Sequence, residues 1–225
     1  MGANINYKLI SFDKLSSTQT YAQNLIRSGK VSDRTIILAN SQTAGHGRYR
    51  RTWVSKPGNL YVSFIYETEK RDPKLSYSVA VAIAETLISF GIMPTIKWPN
   101  DILIDGKKIS GTLIEYAKDF VVVGIGINIK SNPNVRFYET TKVADFAPKI
   151  SRDELLSALI KQMDIWTTRN FTSIKNRWLE LAANLNKTIT YRGRDAILCG
   201  LNDDGALILR CGNEYVMIYG DEISV

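Results

Sequence analysis

The chain has 225 residues, 44% of them apolar and 23% charged, proportions that suit a packed globular protein and exclude a disordered one. No apolar run reaches the roughly 18 residues a membrane-spanning helix requires, so such a helix is excluded. The formal charge is +7, from 29 basic and 22 acidic side chains, a surplus that raises nucleic-acid or nucleotide binding as readings.

In chain order, Tyr7–Phe12 alternates in hydropathy and reads as a strand. Ser17-Thr18-Gln19-Thr20 opens a helix with Tyr21, Ala22, Leu25 and Ile26 on one face and Gly29 as its stop. Thr35–Asn40 is a short apolar strand, residues 41–53 form a long polar loop, and residues 58–66 are a turn followed by a strand. Residues 75–91 are apolar on nearly every side and read as a buried helix ended by Gly91. Short strands follow in TIKW, ILID, TLIEYA and FVVVGIGIN, with Asp105-Gly106 as a hairpin turn. Ser151-Arg152-Asp153-Glu154 fits a capping box for a helix through Leu155, Leu159 and Trp166, and a last helix follows on Phe171, Ile174, Trp178 and Leu181. Beyond Asn184 the texture becomes four short strands at about ten-residue spacing, a small all-β module expected to form a partly open barrel. The reading is thus an α+β domain over residues 1–183, built on a mixed or antiparallel sheet, and a β domain over 184–225.

The charge is unevenly placed. Residues 184–225 hold four basic and six acidic side chains, so the excess lies in the larger part. Thr35–Tyr66 contains Arg48, Arg50, Arg51 and Lys56 and no acid, which focuses a positive field on one loop. A focused field of this kind suits a small polyanion at least as well as a duplex.

Four stretches carry chemistry. In Gly45-His46-Gly47-Arg48-Tyr49-Arg50-Arg51-Thr52-Trp53, glycines admit close backbone approach, arginines grip phosphate in bidentate fashion, and Trp53 offers a stacking face. The same segment also reads as a basic turn with Trp53 in the core. In Lys97-Trp98-Pro99-Asn100-Asp101, proline makes a rigid corner that aims Asn100 and Asp101 at a phosphate, metal or amine; the alternative is a strand end with an Asx turn. Gly106-Lys107-Lys108-Ile109-Ser110-Gly111 places Lys108 on the face opposite Ile109, with Ser110, if alternation holds; a lone lysine of this kind is usually solvated. Gly124-Ile125-Gly126-Ile127-Asn128 ends a strand and admits close backbone approach. His46 is the single histidine and Cys199 and Cys211 the two cysteines, so a histidine triad, a zinc site and a disulfide framework find no support. With no export signal in residues 1–14, the reading is a cytoplasmic protein with reduced thiols.

Taken together, Ser17-Thr18-Gln19, the 45–53 loop, KWPND, KKISGTLIE, GIGIN and a β-rich tail ending GDEIS resemble, in order, the biotin protein ligase family. The resemblance implies a catalytic domain like that of class II aminoacyl-tRNA synthetases and a small C-terminal SH3-like β-barrel. It implies ATP-dependent formation of biotinyl-5′-AMP with Mg²⁺ as cofactor, then transfer of biotin to a lysine of a biotin carboxyl carrier protein. By this resemblance Lys108, Arg48 and Asp101 are catalytic. Ser17, Thr18, Gln19, Gln42, His46, Gly47, Arg48, Lys108 and Gly111 bind biotin. Arg48, Arg51, Trp53, Asn100, Lys108 and Asn128 bind ATP, and Asp101 serves either the metal or the acceptor lysine. The pattern departs at His46, where relatives usually carry arginine, at Arg50, where several have glycine, and at Gln19, where asparagine is common. No DNA partner is expected, because the chain opens directly on the catalytic part, and no membrane partner, because no apolar run is long enough; a homodimer is compatible. Lipoate attachment is the competing enzyme reading, and a nucleic-acid-binding protein the competing reading from another class.

Overall fold

A computed structural model describes residues 7–136 and 138–219. In chain order the elements are β1 (Lys8–Leu15), α1 (Thr18–Arg27), β2 (Thr35–Gln42), β3 (Leu60–Glu67), α2 (Leu75–Ile88), β4 (Thr95–Lys97), β5 (Asp101–Ile104), β6 (Lys107–Ala117), β7 (Phe120–Ile127), α3 (Arg152–Thr167), α4 (Phe171–Leu181), β8 (Thr188–Tyr191), β9 (Arg194–Leu201), β10 (Leu207–Cys211) and β11 (Glu214–Ile218). They divide into two compact units, Met1–Asp72 with Lys107–Ser157, and Pro73–Gly106 with Ala158–Val225.

The first unit is built on strands in the order β1-β2-β3-β7-β6. β1 and β2 are parallel, from Lys8↔Thr35 to Leu15↔Gln42. The remaining neighbours are antiparallel, so the sheet is mixed, as the sequence leads one to expect. A parallel pair needs a crossover, and α1 supplies it. Ser17 caps that helix, accepting from the Thr20 amide, and Gly29 leaves it at φ 67°, the left-handed conformation that stops a helix. Ala22 and Ile26 then pack on Ile37, Ile65 and Val122 of the sheet. The segment after β7 is fixed by Asn59, whose Oδ1 accepts from the amides of Ile129, Lys130 and Ser131 at 2.8, 2.9 and 3.1 Å.

The second unit centres on α2, whose residues Tyr77–Ala84 are all buried, in keeping with its lack of a polar face. The Tyr77 hydroxyl donates to the Gly205 carbonyl at 2.8 Å and accepts from Trp98 Nε1 at 3.0 Å. Its ring meets Trp178 and Phe171 of α4 edge to face, at 5.5 and 5.9 Å. β4 and β5 pair antiparallel, with Lys97 opposite Asp101, and the Trp98–Pro99 peptide at the corner is cis. The four last strands form a separate antiparallel sheet in the order β11-β10-β9-β8.

Two expectations change here. Among the described residues the C-terminal sheet is open and not a closed barrel, because its outer strands β8 and β11 do not pair with each other. Residues 41–53 are not an irregular loop: antiparallel bridges Gln42↔Ser55 and His46↔Thr52 fold them into a hairpin-like arm tipped by a 3-10 turn at Arg48–Arg50. Among the described residues no helix is long and apolar enough to cross a membrane.

Candidate functional site

The site lies in the first unit, over β6 and β7 beside the start of α1. Glycine at 111, 124 and 126 leaves this face of the sheet bare, and the space is taken by side chains from other elements. A Cβ on Gly124 would stand 2.5 Å from Gln19 Oε1, and one on Gly126 would stand 2.5 Å from the Trp53 ring. A Cβ on Gly111 would lie 3.2 Å from both Lys108 Nζ and Trp53. Gly111 and Gly126 are direct neighbours in the ladder, so the floor is continuous.

At the inner end of this floor stands the start of α1. Gln42 Oε1 accepts from the Thr18 amide at 2.8 Å and from its hydroxyl at 3.2 Å. Gln42 Nε2 donates to Ser55 Oγ at 2.8 Å, and Ser55 donates to the Trp53 carbonyl at 2.9 Å. The Ser63 hydroxyl offers its one proton to two acceptors, Thr18 Oγ1 at 3.0 Å and Gln19 Oε1 at 3.1 Å. One polar chain therefore joins α1 to the arm that carries Trp53. Such a network is favourable when each member is satisfied, because burial leaves unpaired groups costly.

At the outer end, the Lys108 ammonium lies 5.4 Å from the Trp53 ring and 5.2 Å from the Tyr138 ring, within cation–π range of both. Simple alternation placed Lys108 with Ser110, away from Gly111; the structure puts its amine on the Gly111 side. The reason is local pairing. Lys108 bonds with the 139–141 segment, through Lys108 N–H to Glu139 and Thr141 N–H to Lys108, while the β6–β7 ladder starts at Ser110.

The arm tip concentrates positive charge. Tyr49 lies between two guanidiniums, Arg48 at 5.3 Å and Arg51 at 5.6 Å. Tyr49 and Arg50 both sit at positive φ, 53° and 55°, an uncommon conformation for such residues that clusters at functional segments. His46 Nδ1 lies 3.3 Å from the Ala44 carbonyl, and Gly47 precedes the tip. Two groups on this face await partners: Trp53 Nε1 and Asn128 Oδ1 are buried and unbonded among the described residues. Asn128 is otherwise anchored, its amide nitrogen donating to Thr141 at 3.0 Å. Buried polar groups are normally bonded, so orphans beside a bare floor mark where a ligand's polar atoms fit.

The structure thus gathers Thr18, Gln19, Gln42, Trp53, Lys108 and Gly111 around one floor, while the Ser17 side chain caps α1. Asn100 and Asp101 belong to the second unit, both half-buried at the start of β5. Ser55, Ser63 and Glu115 escaped sequence reasoning. Two carried a signal: Ser63 is the one small hydroxyl inside the apolar run LYVSFIY, and Glu115 the one acid inside TLIEYA.

Residues 11–132 match the biotin/lipoate A/B protein ligase family, and they cover more than half of the chain. The chain belongs to this family. Among its relatives, the bifunctional ligase/repressor BirA of Bacillus subtilis is 32% identical over 240 residues, covering 96% of this chain and 74% of the relative. The biotin–[acetyl-CoA-carboxylase] ligase of Paracoccus denitrificans is 32% identical over 216 residues, covering 85% of this chain and 90% of the relative. The biotin protein ligase of Aquifex aeolicus, solved in complex with biotin and ATP, superposes with a TM-score of 0.84 at 27% identity, covering 96% of this chain and 97% of the other.

Proposed function

We propose that this protein is a biotin protein ligase, which uses ATP to attach biotin to a lysine of a biotin carboxyl carrier protein. The observation that carries this reading is the glycine floor with a neutral polar end at Thr18, Gln19 and Gln42 and a cationic end at Lys108. Such a floor accepts an elongated molecule with a polar ring at one end and a carboxylate at the other.

In the first step the biotin carboxylate attacks the α-phosphorus of ATP, a mixed anhydride forms, and pyrophosphate leaves. Both reactants are anions, so the site must offset their repulsion. Lys108 holds the biotin carboxylate and, with Arg48, stabilises charge on the α-phosphate; Arg51 holds the phosphates further out. Trp53 packs on the adenine, and Asn128, through its unbonded oxygen, accepts from the nucleotide. Asn100 is assigned to the nucleotide end. In the second step the carrier's lysine amine attacks the acyl carbon, loses a proton, and AMP leaves. Asp101 is assigned to that amine. The 45–53 arm shields the anhydride from water in between.

Among the described residues no three histidine, cysteine, aspartate or glutamate side chains gather to hold a metal. Mg²⁺ is assigned to the phosphates of incoming ATP, with Asp101 as the carboxylate that would help hold it. The catalytic part is assigned to residues 1–183, the small β part to 184–225, and the location to the cytoplasm. Mass spectrometry of a purified carrier domain, incubated with the protein, biotin, ATP and Mg²⁺, should find one biotinyl group on one lysine. An unmodified carrier, with no biotin-dependent release of pyrophosphate, sinks the reading.

A further inference from the structure

The inner end of the glycine floor contains an acidic side chain that the reaction does not use. Glu115 lies on β6 opposite Val122, on the same face as Gly111 and Gly126 and four residues from Gly111, about 13 Å along the strand. Its Oε2 accepts from Gln19 Nε2 at 2.9 Å and from Gln23 Nε2 at 2.6 Å. Gln19 and Gln23 are one turn apart on α1, so they reach the same oxygen.

The bonding partners fix which way the Gln19 amide points. Its nitrogen faces three groups that can only accept: the Glu115 carboxylate, the Leu113 carbonyl at 3.4 Å and the Val122 carbonyl at 3.3 Å. Its oxygen is therefore turned the other way, to the Ser63 hydroxyl and the bare backbone of Gly124. Gln19 is only 4% exposed, so a reversed amide would bury its oxygen against three acceptors. A carboxylate is the strongest of the three acceptors, and it decides the sense.

We propose that Glu115 is a positioning residue for the substrate head group: by holding Gln19 it makes the inner end of the groove a hydrogen-bond acceptor, which selects a neutral ring bearing N–H donors over a ring without them. The inference rests on the biotin ligase reading and deepens it. It also accounts for glutamine at position 19, whose extra methylene reaches both Glu115 and the floor. A dithiolane acid such as lipoate offers no donor to this end, so the acceptor oxygen gains no hydrogen bond from it.

The test is steady-state pyrophosphate release by the full chain, with biotin and with lipoate, for the wild type, Glu115→Ala, Glu115→Gln and Gln19→Ala. Glu115→Ala should raise the KM for biotin about tenfold, leave kcat and the KM for ATP within about twofold, and shrink the preference for biotin over lipoate by about tenfold. Glu115→Gln keeps an oxygen in reach of Gln19 and should recover the biotin KM to within about threefold. Gln19→Ala removes the positioned amide and should reproduce the rise in biotin KM; it decides the matter alone if Glu115→Ala does not fold. An unchanged biotin KM in Gln19→Ala, or equal losses for biotin, lipoate and ATP in Glu115→Ala, overturns the proposal. A wild type that forms no adenylate with biotin overturns the ligase reading instead, so the two failures are distinct.

Discussion

Single residues differ sharply in what their replacement would meet. Gly45 and Gly47 look alike in the sequence, yet a Cβ on Gly45 would stand 2.6 Å from Ser55 Oγ and 2.7 Å from the Trp53 carbonyl, whereas one on Gly47 meets only the Arg51 carbonyl at 3.9 Å. Gly45→Ala must therefore push apart the Gln42–Ser55–Trp53 chain, and its kcat/KM for biotin should fall at least tenfold further than that of Gly47→Ala. Pyrophosphate release measures both. On the proposed reading Lys108 and Arg48 would hold their anions through charge-assisted hydrogen bonds, each worth about 1.5–3 kcal/mol. Lys108→Ala or Arg48→Ala should slow adenylate formation by roughly one to two orders of magnitude, read as single-turnover formation of biotinyl-5′-AMP. A normal rate in Lys108→Ala removes its assigned role.

At the scale of elements, helix ends follow the sequence closely because capping is local chemistry. The predicted box at Ser151 forms: Glu154 Oε2 accepts from the Ser151 hydroxyl at 2.6 Å and from its amide at 2.9 Å, and these bonds hold the Glu154 carboxyl below the usual range. Asn170 caps α4, its Oδ1 accepting from the Ser173 amide at 2.9 Å. Asn170→Ala should cost about 1 kcal/mol of stability, seen as a lower urea midpoint, with biotin kinetics unchanged. Strand pairing was less legible. Alternation in KKISGTLIE assumes a regular ladder, and Lys108 escapes it because its backbone pairs with residues 139–141, whose proximity no local pattern announces. Likewise the 45–53 segment shows no period of its own, since its hairpin form is imposed by bridges to Ser55 and between His46 and Thr52.

For the whole molecule, two buried phenols set a stability limit on the alkaline side. Burial pushes Tyr61 and Tyr77 up to about 12 from 10.0, offset in part by hydrogen bonds with Asn59 and Trp98 respectively. A raised tyrosine means that the folded state keeps a proton that the unfolded state gives up. The stability these groups contribute is complete below pH 10 and is lost as pH rises from 10 towards 12. Urea unfolding midpoints should therefore hold steady from pH 8 to just under 10 and drop above it, and Tyr77→Phe should flatten that drop. A midpoint that stays level through pH 11 contradicts the assignment.

The amino-acid order by itself determined the helices, the capping box at Ser151, the short strands and the residue types of the site. Each rests on a period, a turn or a cap that spans a few neighbours. The motifs Ser17-Thr18-Gln19, the glycine–arginine arm, Lys108 and the GIGIN strand also carried the family resemblance. Only the tertiary structure decided which of these residues meet and what they offer one another: the indole of Trp53 laid on Gly126, the amine of Lys108 turned to Gly111, and Gln19 bound between Ser63 and Glu115. The two Gln19 bonds join residues 44 and 96 positions apart, and their strength comes from excluding water around paired polar groups, a property of the packed sheet that no stretch of chain possesses alone.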